Sequence, residues 1–272
     1  MTLPIRTNLR VAGVQMVSAA HVAPNLETAE RLIAAAAAQG ARLVALPEYF
    51  CLLGRHDTDK VEAREPEDDG PIQRFLAAQA ARHGIWLVGG TVPLACIRPS
   101  RVRNACLAFA PDGSRRARYD KIHLFGFERG GERFDESATI EAGRTPVVLD
   151  VDGWRIGLSV CYDLRFPELY RTLGPLDLIL VPSSFTYTTG AAHWETLLRA
   201  RAIENQCYVL APAQGGRHEN GRRTWGHSML IDPWGEVLSV LAEGEGVVSG
   251  SLEDARLAEV RRSLPALRHR VL

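Results

Sequence analysis

Short apolar runs alternate with helix-like segments along most of the chain. Runs of apolar residues bounded by turn-forming residues predict strands, and longer segments of good helix formers predict helices. The predicted strands are Leu9–Met16, Arg42–Leu46, Ile85–Val88, Asn104–Ala110, Arg115–Tyr119, Val147–Val151, Trp154–Val160, Leu178–Val181, Cys207–Ala211, His227–Ile231, Glu236–Leu241 and Gly246–Ser251. The predicted helices are Asn25–Gln39, Pro71–His83, Pro167–Leu173, Ala191–Gln206 and Leu252–Ser263. Strands alternate with helices near both ends, with hairpins between, which predicts an α/β fold of layers with a mixed sheet.

The chain is long enough for a sizeable core, because 46% of its 272 residues are hydrophobic. An α/β fold of this length is commonly one domain, and no low-complexity linker or short repeat interrupts the sequence. We therefore expect a single domain over residues 1–272. The acidic stretch Glu62–Asp69 is predicted to be a solvated loop.

The charge balance gives no sign of a polyanionic partner. The 32 basic and 32 acidic residues cancel, so neither nucleic acid nor a membrane surface is expected to bind. No apolar run reaches the roughly 18 residues of a membrane span. Met1–Arg10 is too short and too polar to be a secretory signal.

The five cysteines, Cys51, Cys96, Cys106, Cys161 and Cys207, are too few and too scattered for a disulfide framework. We expect a reducing compartment and therefore a cytoplasmic protein. The sequence has no Cys-x-x-Cys pair and no His-Glu-x-x-His motif, so we expect no metal site.

Cys161 is a candidate nucleophile. It follows the apolar end of a predicted strand and precedes a predicted helix, a position at which a side chain is presented at the edge of a sheet. A thiolate there would attack a carbonyl or nitrile carbon. Free cysteine is also a common small core residue, so a structural role stays open.

Two further polar residues stand at the ends of apolar segments. Glu48 follows the strand that ends at Leu46, and a partly desolvated carboxylate has a raised pKa and serves as a general base. Lys121 is flanked by apolar residues and would stabilise negative charge on a tetrahedral intermediate. The alternatives are a surface carboxylate for Glu48 and, for Lys121, a side chain whose ammonium reaches water. His123 raises the further possibility of a Cys/His pair, but no papain-like signature surrounds Cys161.

Taken together, three segments resemble the signatures of the nitrilase, or carbon–nitrogen hydrolase, superfamily. They are Leu46–Glu48, Asp120–Phe125 and Cys161–Glu168, and they occur in the family's order. The resemblance implies a four-layer αββα sandwich, usually dimerised through helices. We therefore expect a homodimer or a higher homo-oligomer.

The family also implies roles for single residues. By resemblance, Glu48 is the general base, Lys121 the cation at the tetrahedral intermediate and Cys161 the nucleophile, while Glu136 orients the lysine and the substrate. The backbone N–H of Tyr162 is expected to help hold the oxyanion. This chemistry needs no cofactor, and the expected partner is a small-molecule amide.

The segments from Ala192 to Tyr208 and from Gln214 to Gly235 resemble the deaminated glutathione amidase branch. Some members of that branch carry cysteine where this chain has Gly215. The two carboxylates of that substrate require cationic partners, for which Arg165, Arg199, Arg201 and Arg217 are candidates by type. Arg199 and Arg201 lie on different faces of a predicted helix and have a structural alternative, so Arg165 and Arg217 are the residues predicted to bind substrate. The alternatives are an ω-amidase acting on α-ketoglutaramate or α-ketosuccinamate, an N-carbamoyl or nitrile hydrolase, and a catalytically silent binding module on the same fold.

Overall fold

The structure, a computed structural model, describes residues 6–271. The strands are β1 Leu9–Gln15, β2 Leu43–Ala45, β3 Trp86–Val88, β4 Val92–Ala95, β5 Val102–Phe109, β6 Arg115–Asp120, β7 Gly126–Arg129, β8 Glu132–Asp135, β9 Val147–Val151, β10 Trp154–Leu158, β11 Leu178–Leu180, β12 Tyr208–Ala211, β13 Gly215–Arg217, β14 Arg223–Trp225, β15 Ser228–Ile231, β16 Val237–Leu241 and β17 Gly246–Leu252. The helices are α1 Val22–Ala38, α2 Asp59–Glu62, α3 Pro71–His83, α4 Pro167–Thr172, α5 Tyr187–Asn205 and α6 Asp254–Ser263. Short 3₁₀ turns lie at Glu136–Ala138, Cys161–Arg165 and Ala266–Arg268.

Two mixed sheets form the centre of the fold. The first has seven strands in the order β17-β1-β2-β3-β5-β4, with β6 also paired to β5. The second has six strands in the order β16-β15-β12-β11-β10-β9. In each sheet three neighbouring strands are parallel, β1-β2-β3 and β10-β11-β12, and the flanking strands are antiparallel. Two hairpins, β7–β8 and β13–β14, lie outside the two sheets.

Alternation along the strands of the first sheet separates two cores. In β1, Leu9 and Val11 join the core shared with the second sheet, whereas Ala12 and Val14 pack with residues of α1 and α3. This is the period-two pattern of a strand buried on both faces. On the far side of the second sheet, α5 contributes Trp194 to the shared core. The layers therefore run helix, sheet, sheet, helix, which confirms the predicted αββα sandwich.

The predicted elements were found, but with shifted ends and with omissions. Helix α5 begins four residues before the predicted Ala191, because the Thr186 hydroxyl accepts from the backbone N–H of Thr189 and caps it. Strand β4 and the hairpins β7–β8 and β13–β14 were not predicted, since they are short and rich in Gly, Pro or charged residues. The prediction for Met1–Arg10 falls partly outside the described residues. No helix within the described range is both long and apolar enough to cross a bilayer.

The acidic stretch Glu62–Asp69 is not simply a solvated loop, and this prediction was wrong for Glu65. Its side chain is only 4% exposed. It accepts hydrogen bonds from the backbone N–H groups of Ile72 at 2.6 Å and of Gln73 at 3.1 Å, at the start of α3. A carboxylate at this place satisfies N–H groups that have no partner within the helix.

We expect Glu65→Ala to lower the free energy of unfolding by about 1–3 kcal/mol, because it leaves buried N–H donors unsatisfied. Chemical denaturation measures the change. The matched control is Glu67→Ala, since Glu67 is exposed and forms surface ion pairs with Arg115 and Arg118, which contribute about 0–1 kcal/mol. Equal losses in the two variants would contradict the capping role.

Candidate active site

Four polar residues from separate segments meet at the ends of strands. Glu48 lies three residues after β2, Lys121 directly after β6, Glu136 directly after β8 and Cys161 three residues after β10. Side chains at such strand ends converge where the connecting loops meet. The structure thus brings together the four residues that the sequence analysis predicted as one site.

Lys121 is the centre of this cluster. Its side chain has no exposed surface, and its Nζ lies 2.9 Å from Glu48 Oε1 and 2.8 Å from Glu136 Oε2. Burial by itself lowers the pKa of Lys121, but the charges of Glu136 and Glu48 outweigh it and raise that pKa well above its usual value. The lysine is therefore a permanent cation, and the surface-lysine alternative does not apply.

Glu48 is held by hydrogen bonds on both carboxylate oxygens. Asn104 Nδ2 donates to Oε1 at 3.0 Å, and the backbone N–H of Ser184 donates to Oε2 at 2.9 Å. Burial raises the pKa of Glu48, and Lys121 opposes this while the charge of Glu136 reinforces it. The thiol of Cys161 is also close enough to lower the pKa of Glu48. A carboxylate with a raised pKa is suited to both taking and returning a proton.

Cys161 is held in a sharp turn between β10 and a 3₁₀ segment. Its φ of 51° lies in the left-handed region, which is unfavourable for a residue with a side chain. Its backbone N–H donates to the Pro182 carbonyl at 3.0 Å. Burial raises the pKa of the thiol well above its usual value, and the Glu48 carboxylate adds to this while Lys121 opposes it. The sulfur would therefore ionise only as its proton passes to a neighbouring base.

Asp163, two residues after Cys161, fixes this turn, and the sequence analysis missed it. It is fully buried. It accepts from the backbone N–H of Val160 at 2.8 Å and from the Tyr119 hydroxyl at 2.7 Å. Its other oxygen lies 2.7 Å from His123 Nδ1. His123 is thus bound to Asp163 and stacked on Phe166 at 3.7 Å, which argues against a Cys161–His123 pair.

Glu136 reaches the cluster from the unpredicted β7–β8 hairpin. Besides Lys121, it accepts from the Tyr49 hydroxyl at 2.9 Å and from the Phe125 backbone N–H at 2.7 Å. Tyr49 was not singled out from the sequence. These contacts hold the carboxylate beside the lysine, as the resemblance implied.

The cluster opens into a cavity with two lobes. The inner lobe, of about 270 Å³, contains Glu48 and Cys161 and continues past Tyr162 and Phe185 to Thr189. The outer lobe, of about 790 Å³, is lined by residues of the loop after β2, of α2, of the β7–β8 hairpin and of β14. Both lobes are bounded by four common residues: Phe125, Glu136, Ser184 and Thr186. Cys161 is only 6% exposed, but it lines the inner lobe and is not sealed in an apolar core.

The three residues predicted to bind substrate lie at different distances from this cavity. Tyr162 lines the inner lobe. Arg165 lies behind that lining, with its guanidinium 5.7 Å from the Tyr162 ring and 5.4 Å from the Phe185 ring. Arg217 is exposed on β13 and lines neither lobe, whereas the nearby Arg222 lines the outer one. The prediction that Arg217 binds the substrate has no support from this geometry.

Among residues 6–271, no group of three or more His, Cys, Asp or Glu side chains is arranged to hold a metal ion. The polar atoms of the cluster are instead occupied with one another, through the Lys121 ammonium and the hydrogen bonds described above.

Comparison with known proteins agrees with this geometry. The family model described as carbon-nitrogen hydrolase matches residues 10–262. The chain is 43% identical over 266 residues to a deaminated glutathione amidase of Synechocystis sp., covering 96% of this chain and 97% of that one. It is 37% identical over 269 residues to omega-amidase NIT2 of Danio rerio, covering 97% and 95%.

A solved structure of this family has the same fold. Nit3 of Saccharomyces cerevisiae, a member of branch 10 of the nitrilase superfamily, superposes with a TM-score of 0.87 at 28% identity, covering 100% of this chain and 99% of that one. The chain therefore belongs to the carbon–nitrogen hydrolase family, and it is an amidase, a hydrolase of carbon–nitrogen bonds other than peptide bonds.

Proposed function

We propose that this amidase hydrolyses the amide of deaminated glutathione, with Cys161 as nucleophile, Glu48 as general base and acid, and Lys121 as the cation at the oxyanion. The observation that carries the proposal is the buried contact of Lys121 with Glu48 and Glu136, in the same cavity as the Cys161 thiol. The identity to a named deaminated glutathione amidase over nearly the whole chain supports the choice of substrate.

In the first half of the reaction, Glu48 takes the thiol proton and the sulfur attacks the amide carbon. The C–O double bond becomes a C–O⁻ single bond, which the Lys121 ammonium and the Tyr162 backbone N–H stabilise. Glu48 then gives its proton to the amide nitrogen as the C–N bond breaks. The amine leaves, and the acyl group stays on Cys161 as a thioester. One lost oxyanion donor typically costs about 100- to 1000-fold in rate.

In the second half, Glu48 takes a proton from water, and the resulting hydroxide attacks the thioester carbon. The C–S bond breaks, the carboxylic acid leaves and the proton returns to the sulfur. Glu136 touches Lys121 and is fixed by Tyr49 and Phe125. It therefore keeps the ammonium in place while the charge on Glu48 changes.

The substrate has a carboxylate at each end and the scissile amide between them. Its acyl half is the five-carbon 2-oxo acid, and its amine half is cysteinylglycine. The acyl half is assigned to the inner lobe, because that lobe contains Cys161 and because the Arg165 guanidinium lies near its Tyr162 and Phe185 rings. An ω-amidase acting on α-ketoglutaramate is the second candidate, since that substrate has the same acyl half and a relative of this activity is 37% identical.

We expect the wild-type protein to hydrolyse deaminated glutathione with a higher kcat/KM than α-ketoglutaramate, an N-carbamoyl amine or a simple nitrile. Cys161→Ala should lose turnover of all four while its thermal unfolding stays unchanged. Product release measured by coupled assay tests both statements. Cys96→Ala is the matched control, because Cys96 is partly exposed and lines neither lobe. Turnover by Cys161→Ala, or a preference for the nitrile, would refute the proposal.

The pH profile tests the role of Glu48. Its carboxylate form is the base, so kcat/KM should fall as the pH drops through its pKa. Because burial raises that pKa above its ordinary value of 4.5, we expect the midpoint of the acid limb above pH 4.5. Incubation at each pH followed by assay at neutral pH controls for irreversible unfolding. A midpoint at or below 4.5 would contradict the assignment.

We further propose that residues 1–272 form one domain, that the protein is cytoplasmic and that it is a homodimer. A single core shared by both sheets supports the first proposal. The five free cysteines support the cytoplasmic location, because a reducing compartment keeps them as thiols.

Exposed apolar side chains support the homodimer: Ile203 on α5 is 47% exposed and Trp234 is 54% exposed. Arg199 Nε donates to the Gly235 carbonyl and joins α5 to the turn that carries Trp234.

We expect light scattering to give about twice the 29.9 kDa mass of the chain. A charge placed in this apolar patch should separate the protomers, so Ile203→Asp and Trp234→Asp should shift the mass towards the monomer. Ile97→Asp is the control, because Ile97 is 92% exposed but lies on a different surface. A dimer that survives both substitutions would place the interface elsewhere.

A further inference from the structure

We propose that the outer lobe is the subsite for the amine half of the substrate, and that the Lys60 ammonium binds the terminal carboxylate of that half. This inference rests on the proposed function and identifies which residue selects a substituted amide with an anionic leaving group over a primary amide. Lys60 stands on α2 and lines the outer lobe.

The first argument is that the carboxylates of the outer lobe already have partners within the protein. Asp57 is paired with Arg222 at 2.8 Å. Glu136 is paired with Lys121, and Asp135 accepts from the backbone N–H of Ser137.

Lys60 differs from these groups. Its Nζ donates to the Thr139 hydroxyl at 3.2 Å, and among residues 6–271 no carboxylate lies within ion-pair distance of it. Lys60 is thus a cation of the outer lobe without a carboxylate partner, and a bound anionic ligand would form an ion pair with it.

The second argument is the partial burial of the Lys60 side chain, which lines the cavity and is not fully exposed. Removal from water lowers the pKa of Lys60, the more distant charges of Asp57 and Glu136 oppose this only in part, and Arg222 adds to it. Holding an ammonium in such a place costs free energy unless an anion joins it. A bound carboxylate would supply that anion and would meet a site that is already ordered.

The third argument is the order of groups along the cavity. The leaving nitrogen has to face Glu48, which gives it a proton, while the acyl half occupies the inner lobe. The amine half then extends past Glu136 and Tyr49. The Tyr49 hydroxyl is 2.9 Å from Glu136, and Lys60 Nζ is 5.9 Å from the centre of the Tyr49 ring on the way outward.

The leaving groups of the two substrates differ in reach. A dipeptide spans at most about 7 Å from its amine nitrogen to its terminal carboxylate, so on this path its carboxylate lies beyond the scissile nitrogen, on the side of the outer lobe. Ammonia, the leaving group of a primary amide, has nothing to place there.

The test compares two substrates that share the acyl half. In Lys60→Met, which keeps the length of the side chain and removes its charge, we expect kcat/KM for deaminated glutathione to fall about 10- to 100-fold, the range for a lost hydrogen bond to a charged group. Activity on α-ketoglutaramate should change less than about threefold. A third substrate, deaminated glutathione with its glycine carboxylate converted to the amide, should respond to the substitution no more than α-ketoglutaramate does.

Arg64→Met is the matched control, because Arg64 is an exposed cation close to α2 that lines a different groove, and it should leave all three rates unchanged. Lys60→Arg should retain most of the preference. Equal losses on the two main substrates, or no loss on either, would overturn the assignment of Lys60 while leaving the amidase proposal intact. Failure of the wild-type protein on both substrates would instead refute the proposed function.

Discussion

The buried ammonium of Lys121, held between Glu48 and Glu136, is the interaction on which the rest of the site depends. An ion in a low-dielectric interior is stable only when its partners are fixed around it, and breaking such a group typically costs about 3–5 kcal/mol. The three partners come from loops after β2, β6 and β8. The fold therefore has to bring these loops to one point before the site can exist: β2 and β6 supply two of them from the first sheet, and the β7–β8 hairpin supplies the third from outside it.

A second layer of hydrogen bonds holds the reacting groups themselves. Glu48 is bound by Asn104 and by the Ser184 backbone, and the turn at Cys161 is fixed by Asp163. The positive φ at Cys161 is a strained conformation that persists because the surroundings impose it. Each carboxylate of this inner network has its donors, as a buried polar group requires. The geometry of the cluster is therefore set in part by Asn104 and Asp163, which line neither lobe of the cavity.

The sequence predicted the parts of this arrangement that are local. Glu48 and Cys161 each follow an apolar strand, and Lys121 lies in the segment Asp120–Phe125 that resembles a family motif, so the strand pattern and the family motifs located the three residues. Partners that lie far apart in the chain were not predicted. Ser184 donates to Glu48 across 136 positions, and nothing near either residue indicates it. Glu65 was misread for the same reason, because an acidic stretch does not reveal that one of its side chains caps α3. The β7–β8 hairpin lacked the apolar alternation that identifies strands.

In the proposed reaction the two lobes have separate roles: the inner lobe holds the reacting groups, and the outer lobe determines which leaving group is accepted. The amides of α-ketoglutarate and of its cysteinylglycine adduct present the same carbonyl and the same acyl chain to Cys161, so the inner lobe and the charged cluster have no basis for distinguishing them. The difference begins beyond the scissile nitrogen, where the cavity widens between α2 and the β13–β14 hairpin. The outer-lobe residues of α2 and of β14, such as Lys60 and Arg223, are free to vary without disturbing the ion cluster, since they form no ion pair or hydrogen bond with Lys121 or Glu48. A family with one set of reacting residues would in this way hydrolyse different amides. The loops of the outer lobe would determine which leaving group is accepted, and the residues at the strand ends of the inner lobe would carry out the reaction.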